Sequence, residues 1–340
     1  MRTLYLPFLL LLATSAGAYA NAAFLLEEPH GARSKFNPTG HAAVYLSGVC
    51  ADSPTHLRRC EAGEAGVVIS RYNKIAAYDW LAIPLVPYLY AVESIDEIPQ
   101  SADMQMVAEL RDRYRREHLM EIAPDDANGE PPEGNNWVQL VGGAYVRNIY
   151  GFEIETTPEQ DAAFIERWNQ RENRSHFNTL YSNCADFAAS VMNFYAPHSV
   201  HRNYFADVGI MTPKQVARSL TRHARKHRKL ELSSFLIPQV PGSIQRSKRV
   251  DGVAETVVKS KKYVVPLAIF HPVLTGTLAA AYLTKGRFDP KRNAEPFDIA
   301  QVYERAAARN TTASEAGAGE AGAGRPILGP AALAAPEAPE

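Results

Sequence analysis

Two short motifs in this chain have residue types that can together perform nucleophilic chemistry, Asn183-Cys184 and Gly40-His41. Cys184 opens the segment Cys-Ala-Asp-Phe-Ala-Ala-Ser-Val-Met-Asn-Phe-Tyr, and His41 opens His-Ala-Ala-Val-Tyr-Leu-Ser. A cysteine thiolate attacks carbonyl carbons, and a nearby histidine can take the thiol proton and later protonate the leaving group. The two motifs therefore predict Cys184 as a nucleophile and His41 as its base.

The element that should carry Cys184 is an apolar helix that starts at this residue. Asn183 is a good N-cap, which places Cys184 in the first turn. The unpaired N–H groups of a helix N-terminus carry partial positive charge and favour a thiolate, and the Cys184 N–H is a candidate oxyanion donor. The alternative is an ordinary buried cysteine, because cysteine is among the residue types most often buried.

The N-terminal 22 residues have the pattern of an export signal. Arg2 is followed by an apolar core at 4–12, and both Ala18-Tyr19-Ala20 and Ala20-Asn21-Ala22 fit small-residue cleavage sites. The apolar core is shorter than the roughly 20 residues that a membrane span needs. We expect a cleaved signal, with an uncleaved anchor as the alternative, and hence an exported protein: periplasmic, secreted or on the outer surface.

Export permits disulfide bonds, and the chain has three cysteines. Cys50 and Cys60 enclose a short polar loop between two strand-like segments. A bridge between them would stabilise the fold by roughly 3 kcal/mol in the chain-entropy model. The alternative is two free thiols. In both cases Cys184 has no partner within the chain.

The overall composition excludes one class of partner. The formal net charge is −1 and the sequence pI is about 6.8. A protein that binds nucleic acid usually has a strongly basic face or domain. We therefore expect no nucleic-acid partner, and no motif predicts a cofactor.

Local patterns predict an α+β protein. Residues 41–47 and 67–72 have strand composition and should form a hairpin around the bridged loop, while 79–92 should be strand or loop and 137–155 mostly extended. Periodicity and caps predict helices at 104–119, 157–171, 184–195 and 212–228. The expected organisation is a signal peptide at 1–22, a main domain at 23–230, an extension at 231–305 and a disordered tail at 306–340.

The extension contains a second apolar segment, 263–283, with lysine and arginine residues on both sides. Pro266, His271, Pro272 and Gly276 interrupt it. It is either a helix packed on the protein body or a segment that enters or lies on a membrane. The basic run 222–229 is either a solvated helix end or a contact for anionic lipid head groups.

The two motifs resemble those of circularly permuted papain-like enzymes. Gly-His-Ala-Ala-Val-Tyr-Leu-Ser is similar to the histidine strand of lecithin-retinol acyltransferase-like proteins, and Asn-Cys-Ala-Asp-Phe is similar to their nucleophile motif. Permuted NlpC-like and bacterial lipoprotein transacylase-like domains share the order histidine first, cysteine later. The resemblance covers both motifs and, loosely, residues 36–200. It implies a permuted papain-like core with an antiparallel sheet packed on the cysteine helix.

One part of the family pattern is missing from this chain. The acyltransferases carry a second histidine about a dozen residues after the first, but here the next histidine, His56, lies in the bridged loop. A third residue must orient His41 through its far ring nitrogen. Asn73 is our candidate, as asparagine does this in papain-like triads, with Ser70 and Asp79 as alternatives.

Other histidines give weaker candidates. His176 is an alternative base to His41. His198 and His201, with His176 or Asp207, have a spacing that is a weak match to a metal site, and we favour a cap or surface role for them. We expect no metal site.

Three functions follow from these observations. The leading one is an exported cysteine acyltransferase or hydrolase, with a Cys184 acyl-enzyme and a lipid or lipoprotein acyl substrate, as the resemblance implies. The second is an NlpC-like amidase or endopeptidase that acts on cell-wall peptide. The third is a non-catalytic exported or membrane-associated binding module, in which Cys184 is structural.

Overall fold

The computed structural model of this chain describes residues 20–31, 38–73, 75–132, 136–205 and 207–308. These residues form a mixed α+β fold around one open sheet with the strand order β6-β5-β2-β1-β7-β8-β9, and a separate two-stranded ribbon, β3-β4. All neighbours in the main sheet are antiparallel except β8 and β9. The strands are β1 Ala20–Glu27, β2 His41–Leu46, β3 Val49–Ser53, β4 His56–Arg59, β5 Val67–Ser70, β6 Leu81–Pro84, β7 Ile149–Thr156, β8 Leu232–Ile237 and β9 Glu295–Pro296.

Helices cover both faces of the sheet. They are α1 Leu85–Tyr90, α2 Met104–His118, α3 Pro158–Asn169, α4 Cys184–Tyr195, α5 Pro213–Lys226, α6 Val253–Lys259, α7 Lys261–Phe270 and α8 Pro272–Ala281. The first core lies between the sheet and α3, α4 and α5, and includes Phe24, Val44 and Phe187. The second core lies on the opposite face, under α1 and α2, and includes Leu25 and Tyr45. Alternate residues of β1 and β2 thus face different cores, as the two-residue period of a strand requires.

Strand β1 is central to the sheet and was not predicted. It pairs with β2 along Ala22 to Glu27 and with β7 along its whole length, and nearly all of it is buried. The last three residues of the predicted signal, Ala20 to Ala22, belong to this strand. Cleavage after Ala20 would remove one residue of β1, whereas cleavage after Ala22 would remove three. Residues 1–19 of the predicted signal lie outside the described residues.

The four predicted helices are present, and their caps explain where they begin. Thr157 and Thr212 accept hydrogen bonds from the third backbone N–H of α3 and α5, and proline follows each of them. Segment 79–92, predicted as strand or loop, instead divides into β6 and α1. Segment 137–155 begins with two short 3-10 turns, and its extended part is β7.

The predicted bridge is confirmed: Cys50 and Cys60 form a disulfide bond. The segment between them is itself a hairpin, β3-β4, inserted between β2 and β5. Strands β2 and β5 still pair directly, with Val44 opposite Ile69 and Leu46 opposite Val67. The predicted hairpin of residues 41–47 and 67–72 is therefore present, with the bridged ribbon at its end.

The apolar segment 263–283 forms two helices, α7 and α8, which meet at His271-Pro272. Helix α7 buries none of its residues and α8 buries only Ala281, so this segment does not pack on the protein body as a core helix. A search of the described residues found no helix with both the length and the apolar character needed to cross a membrane. The predicted disordered tail lies outside the described residues from 309 onward.

Candidate active site

Helix α4 begins at Cys184 because the residue before it is a saturated cap. The Asn183 side-chain oxygen accepts hydrogen bonds from the backbone N–H groups of Ala185 and Asp186, at 2.8 and 3.1 Å. Its side-chain nitrogen donates to two backbone carbonyls, and the Asp186 carboxylate accepts from the Asn183 N–H at 3.0 Å. The predicted cap is therefore present, and all its polar atoms help to fix the first turn that carries the thiol.

Two arginines hold this first turn against its surroundings. Arg71, the residue after β5, donates to the Ser182 hydroxyl at 2.8 Å and to the Asp79 carboxylate at 2.7 Å. Arg202 donates to the Asp186 carboxylate at 2.5 Å. Arg71 thus contacts a residue two positions before Cys184, and Arg202 contacts a residue two positions after it. The position of Cys184 relative to β5 is therefore strongly determined.

The thiol of Cys184 lies against the beginning of β2. The ladder between β2 and β5 ends at the pair Val44 and Ile69. Before it, the Ala42 carbonyl accepts a hydrogen bond from the Ser70 hydroxyl at 2.7 Å, so the polar backbone atoms of Ala42 face β5 but have no strand partner there. The Ala42 N–H instead hydrogen-bonds to the Cys184 sulfur. Because Ala42 follows His41 directly, the sulfur lies one peptide unit from the residue that carries the imidazole.

The imidazole of His41 is held by two groups. Its Nε2 lies 2.9 Å from the Ser70 hydroxyl oxygen, and its ring stacks on Tyr72 with centroids 5.0 Å apart. Since the Ser70 proton is donated to the Ala42 carbonyl, Ser70 accepts from Nε2–H. This hydrogen bond assigns the proton of the neutral ring to Nε2 and leaves Nδ1 with a free lone pair, the form in which histidine acts as a base.

The thiol and the imidazole approach the strand end from different sides. Cys184 packs against the first core, together with Ala42, whereas the partners of His41 belong to the side of the second core, as Tyr72 does. The sequence motifs predict a shared site but do not reveal this arrangement. Both groups lie at the end of β2, beyond the last ladder pair with β5, on opposite faces of the strand.

Burial keeps both groups neutral at pH 7. It lowers the pKa of His41 to about 4, with Glu27 raising and Arg147 lowering it to a smaller extent. Burial raises the pKa of the Cys184 thiol to about 11, and the hydrogen bond from the Ala42 N–H lowers it by less. In this conformation the pair is therefore a thiol and a neutral imidazole, not the thiolate–imidazolium pair that helix α4 alone would favour.

A buried polar network behind His41 was missed at the sequence level. Glu27 lies opposite His41 across β1 and β2, accepts a hydrogen bond from the Tyr88 hydroxyl, and forms an ion pair with Arg147 at 2.7 Å. Hydrogen bonds link the Tyr72 hydroxyl to Tyr88 and to Ser70. Nothing in the residue pattern pairs Glu27 with Arg147, because they are 120 residues apart and meet only through β1 and β7.

Of the three candidate orienting residues, the structure places Ser70, and not Asn73, beside His41. Asn73 is exposed, and its backbone carbonyl accepts a hydrogen bond from Asn136. Ser70 is fully buried at the last position of β5 and contacts His41 directly. Asp79 instead pairs with Arg71 and has no place beside the imidazole in the described structure. The physical reason is the place where β5 ends: Ser70 is its last residue and its hydroxyl reaches the His41 ring, whereas Asn73 lies three residues beyond the strand.

The remaining histidine candidates do not assemble into a site. The His176 backbone N–H donates to Asp79, and its side chain is exposed. Within the described part of the chain, the groups whose ligand atoms come within 4.8 Å of one another do not include His176, His198, His201 or Asp207. Asp207 accepts a hydrogen bond from the Val253 N–H at 3.0 Å, which is a structural role at the start of α6.

Comparisons with protein-family models, with curated proteins and with solved structures found no match to this chain. The resemblance to permuted papain-like enzymes therefore depends on the residues of the two motifs and on their arrangement at the end of β2.

The neutral pair makes a prediction about the reactivity of Cys184. At pH 7 a thiol with a pKa of about 11 has a thiolate fraction on the order of 10⁻⁴, against a few per cent at an ordinary pKa of about 8.5. We expect iodoacetamide to label Cys184 at least tenfold more slowly in the folded protein than in denaturant. The rate should rise about tenfold per pH unit between about pH 6.5 and 9. Intact-protein mass spectrometry measures both rates.

The two pKa shifts also determine how the stability of the folded protein depends on pH. His41 has a lower pKa in the folded protein than in the unfolded chain, so the unfolded chain takes up this proton first as the pH falls. The contribution of buried, neutral His41 to stability is therefore present above about pH 6.5 and is lost towards pH 4. It is worth roughly 3 kcal/mol. The unfolded thiol ionises first, so its contribution is lost above about pH 9.

A labelling rate that is constant from about pH 6.5 to 8 would contradict the neutral pair, because it indicates a thiolate already formed.

Proposed function

We propose that this protein is a cysteine acyltransferase or hydrolase in which Cys184 forms an acyl-enzyme and His41 transfers the proton. The observation that carries the proposal is the contact of the Cys184 sulfur with the Ala42 N–H, one peptide unit from His41. The free Nδ1 of His41, fixed by the hydrogen bond of Nε2 to Ser70, supports it further.

The proposed reaction has two halves. In the first, the Cys184 sulfur attacks the carbonyl carbon of an ester or amide while Nδ1 of His41 takes the thiol proton. The tetrahedral intermediate collapses to a thioester, and the imidazolium returns the proton to the leaving alcohol or amine. In the second half, water or an acceptor alcohol or amine attacks the thioester, again with its proton taken by His41, and the free thiol forms again.

The oxyanion of each intermediate needs hydrogen-bond donors that are not already used. The Cys184 N–H is in the first turn of α4, where no helix carbonyl is available to accept from it. The Ala42 N–H is a second donor, and it is free of the β5 ladder. We assign these two N–H groups as the oxyanion site, because both lie beside the sulfur and neither is held by a helix or strand carbonyl.

The described conformation corresponds to the resting enzyme. The pair is neutral, which suits a mechanism in which the thiol loses its proton as it attacks rather than before. The imidazole must also turn from the side of the second core towards the sulfur. The end of β2 is the place where this motion is possible, because the β5 ladder does not cover it and Gly40 precedes it.

An exposed apolar surface beside the cysteine turn favours a lipid acyl chain over a peptide as substrate. We call this surface the apolar rim; its members are Leu180, Tyr181, Tyr204, Phe205 and Val208, each with 45 to 73% of its surface exposed. Arg202 binds the carbonyls of Leu180, Tyr181 and Gly209 as well as Asp186, so both parts of the rim are attached to the first turn of α4. A long acyl chain would cover these side chains.

The order of the elements supports a permuted papain-like core. The histidine strand β2 comes first, its antiparallel neighbour β5 supplies the orienting residue, and the cysteine helix α4 follows and packs on β1 and β2 in the first core. The family's second histidine is replaced here by Ser70. This order is the reason to prefer acyl-enzyme chemistry to an unrelated thiol function.

Hydrolysis of p-nitrophenyl laurate, compared with the acetate, tests the proposal. We expect the wild-type protein to prefer the laurate, and we expect Cys184→Ala and His41→Ala to lower kcat/KM by at least a hundredfold. His176→Ala is the matched control, since it removes an exposed histidine that has no role in the mechanism. Its kcat/KM should stay within about twofold of the wild type.

Two outcomes would replace the proposal. If purified cell-wall sacculi release peptides in a Cys184-dependent manner while the laurate is not cleaved, the chain is an NlpC-like amidase or endopeptidase. If both Cys184→Ala and His41→Ala leave all activities unchanged, the protein is not a thiol enzyme, and a binding module is the remaining function.

A second prediction separates Ser70 from Asn73. Ser70→Ala removes the acceptor of the Nε2 proton, so His41 can take the wrong tautomer, and we expect kcat to fall about tenfold or more with KM nearly unchanged. Asn73→Ala should leave both constants within about twofold of the wild type. Equal losses in the two variants, or a loss only in Asn73→Ala, would contradict the assignment. Thermal unfolding of each variant shows whether the fold is intact.

A further inference from the structure

Helices α7 and α8 form a hairpin that projects from the protein with almost no buried surface. The exposed fractions are 69% for Ile269, 75% for Phe270 and 82% for Val273, the residues around the turn between the helices. An apolar groove between the helices, lined by Leu267, Leu274 and neighbouring residues, is also open. Apolar side chains this large are rarely left exposed together on a protein that stays in water.

The hairpin is apolar on all sides and not only along one face. Between residues 263 and 281 the only side chain that could carry a positive charge is His271, and there is no acidic residue. The hydroxyls of Thr275 and Thr277 donate to the carbonyls of His271 and Val273 within the hairpin, at 3.1 and 2.9 Å. A helix that is hydrophobic all round needs an apolar environment on all sides, which a single protein groove does not supply.

The length of the hairpin matches one leaflet of a bilayer. Each helix has 10 residues, which at about 1.5 Å per residue gives about 15 Å. The hydrocarbon core of a bilayer is about 30 Å thick, so 15 Å is about half of it. A hairpin of this length can bury its turn near the bilayer centre while both helix ends return to the same surface.

The root of the hairpin is basic, as an anionic lipid surface requires. Lys261 and Lys262 begin α7, and a cavity of about 1090 Å³ lies beside the root. Its lining residues come from β7, α5, β8, α6 and the chain after α8, and they include eight basic and six acidic side chains. The basic ones are Lys214, Arg225, Arg228, Arg249, Lys259, Arg287, Lys291 and Arg292, and the acidic ones are Glu28, Glu231, Asp251, Glu255, Asp289 and Glu295. Lys214 and Lys259 are ion-paired with Glu255, and Arg249 with Asp289, whereas no ion pair is seen within the described residues for Arg225, Arg228 or Arg292. The basic run of α5 and the hairpin root therefore share one surface.

We propose that α7 and α8 insert as a hairpin into one leaflet of an anionic membrane, with Lys261, Lys262 and the arginines at 225, 228 and 292 against the lipid phosphates. The hairpin is apolar at its turn and has basic side chains at its root, which matches a membrane with anionic head groups. A second copy of the chain would not require a cationic root. The hairpin does not depend on Cys184, so this inference stands independently of the proposed enzymatic function.

Insertion would also orient the rest of the protein. The Val253 N–H, at the start of α6, donates to Asp207, and the Asp207–Gly209 turn carries Val208 of the apolar rim. Helix α6 leads directly into α7. Helix α6, which precedes the hairpin, is thus hydrogen-bonded to the loop that carries Val208 of the apolar rim. Insertion of the hairpin into a membrane would therefore also fix the position of the rim.

Vesicle flotation tests the proposal, using the chain from Ala20 onward, which contains all described strands and helices and omits the apolar signal. We expect the protein to float with vesicles of phosphatidylcholine and phosphatidylglycerol, and at least tenfold less with phosphatidylcholine alone. Phe270→Asp combined with Val273→Asp should lower flotation at least tenfold. Met104→Asp combined with Val138→Asp is the matched control, because it adds the same charge at exposed apolar residues elsewhere. It should float like the wild type.

Two further variants test the depth and the root. Tryptophan at position 270 should be quenched most by lipids brominated deep in the acyl chain, and tryptophan at position 263 by lipids brominated near the head group. Arg225→Glu combined with Arg228→Glu should reduce the preference for anionic vesicles at least tenfold.

Three results would overturn the proposal. The first is no flotation with either vesicle; if light scattering then shows a dimer that Phe270→Asp and Val273→Asp dissociate, a second copy covers the hairpin. The second is equal flotation of the hairpin variant and the wild type. The third is quenching at position 270 only by lipids brominated near the head group.

Discussion

The end of the β2–β5 ladder is the constraint on which the candidate site depends. An antiparallel strand must satisfy its backbone N–H and C=O groups, and β5 stops one residue too early to do so for Ala42. The Ser70 hydroxyl donates a hydrogen bond to the Ala42 carbonyl, and the Cys184 sulfur accepts one from the Ala42 N–H. One unpaired peptide position thus brings together the thiol, the orienting serine and, through the adjacent residue, the imidazole. A β5 that continued in register would satisfy Ala42 and leave no room for the thiol.

The surroundings of this position explain both its rigidity and its resting state. The saturated Asn183 cap and the arginines at 71 and 202 fix the sulfur, while Ser70 and Tyr72 fix the imidazole. The same packing removes water, and the loss of hydration favours the neutral form of each group. In the enzyme that we propose, such a site would have a low background reactivity and would need a substrate, or a motion of His41, to become active.

Local signals predicted the parts of the fold that have local causes. Thr157-Pro158, Thr212-Pro213 and Asn183 predict helix starts because a cap acts on the next three residues only, and each start is correct to the residue. The disulfide was expected from the export signal and from the short polar loop between Cys50 and Cys60, with two free thiols as the alternative. Strand β1 was missed because its apolar run continues the apolar pattern of the signal, and β8 because Leu-Ser-Ser-Phe-Leu-Ile alternates too weakly. The choice of Ser70 over Asn73 required the place where β5 ends, and the approach of His41 and Cys184 from two faces required the end of the ladder.

The central claim is that Cys184 carries the acyl group, and the most direct measurement is the mass of the intact protein after brief exposure to p-nitrophenyl laurate, with acid quenching. We predict a single added lauroyl group on the wild type, located on Cys184 by peptide mapping and released by hydroxylamine, and none on Cys184→Ala. In His41→Ala the adduct should form at least a hundredfold more slowly. An adduct of the same yield on Cys184→Ala, or one that maps to another residue in the wild type, would contradict the account.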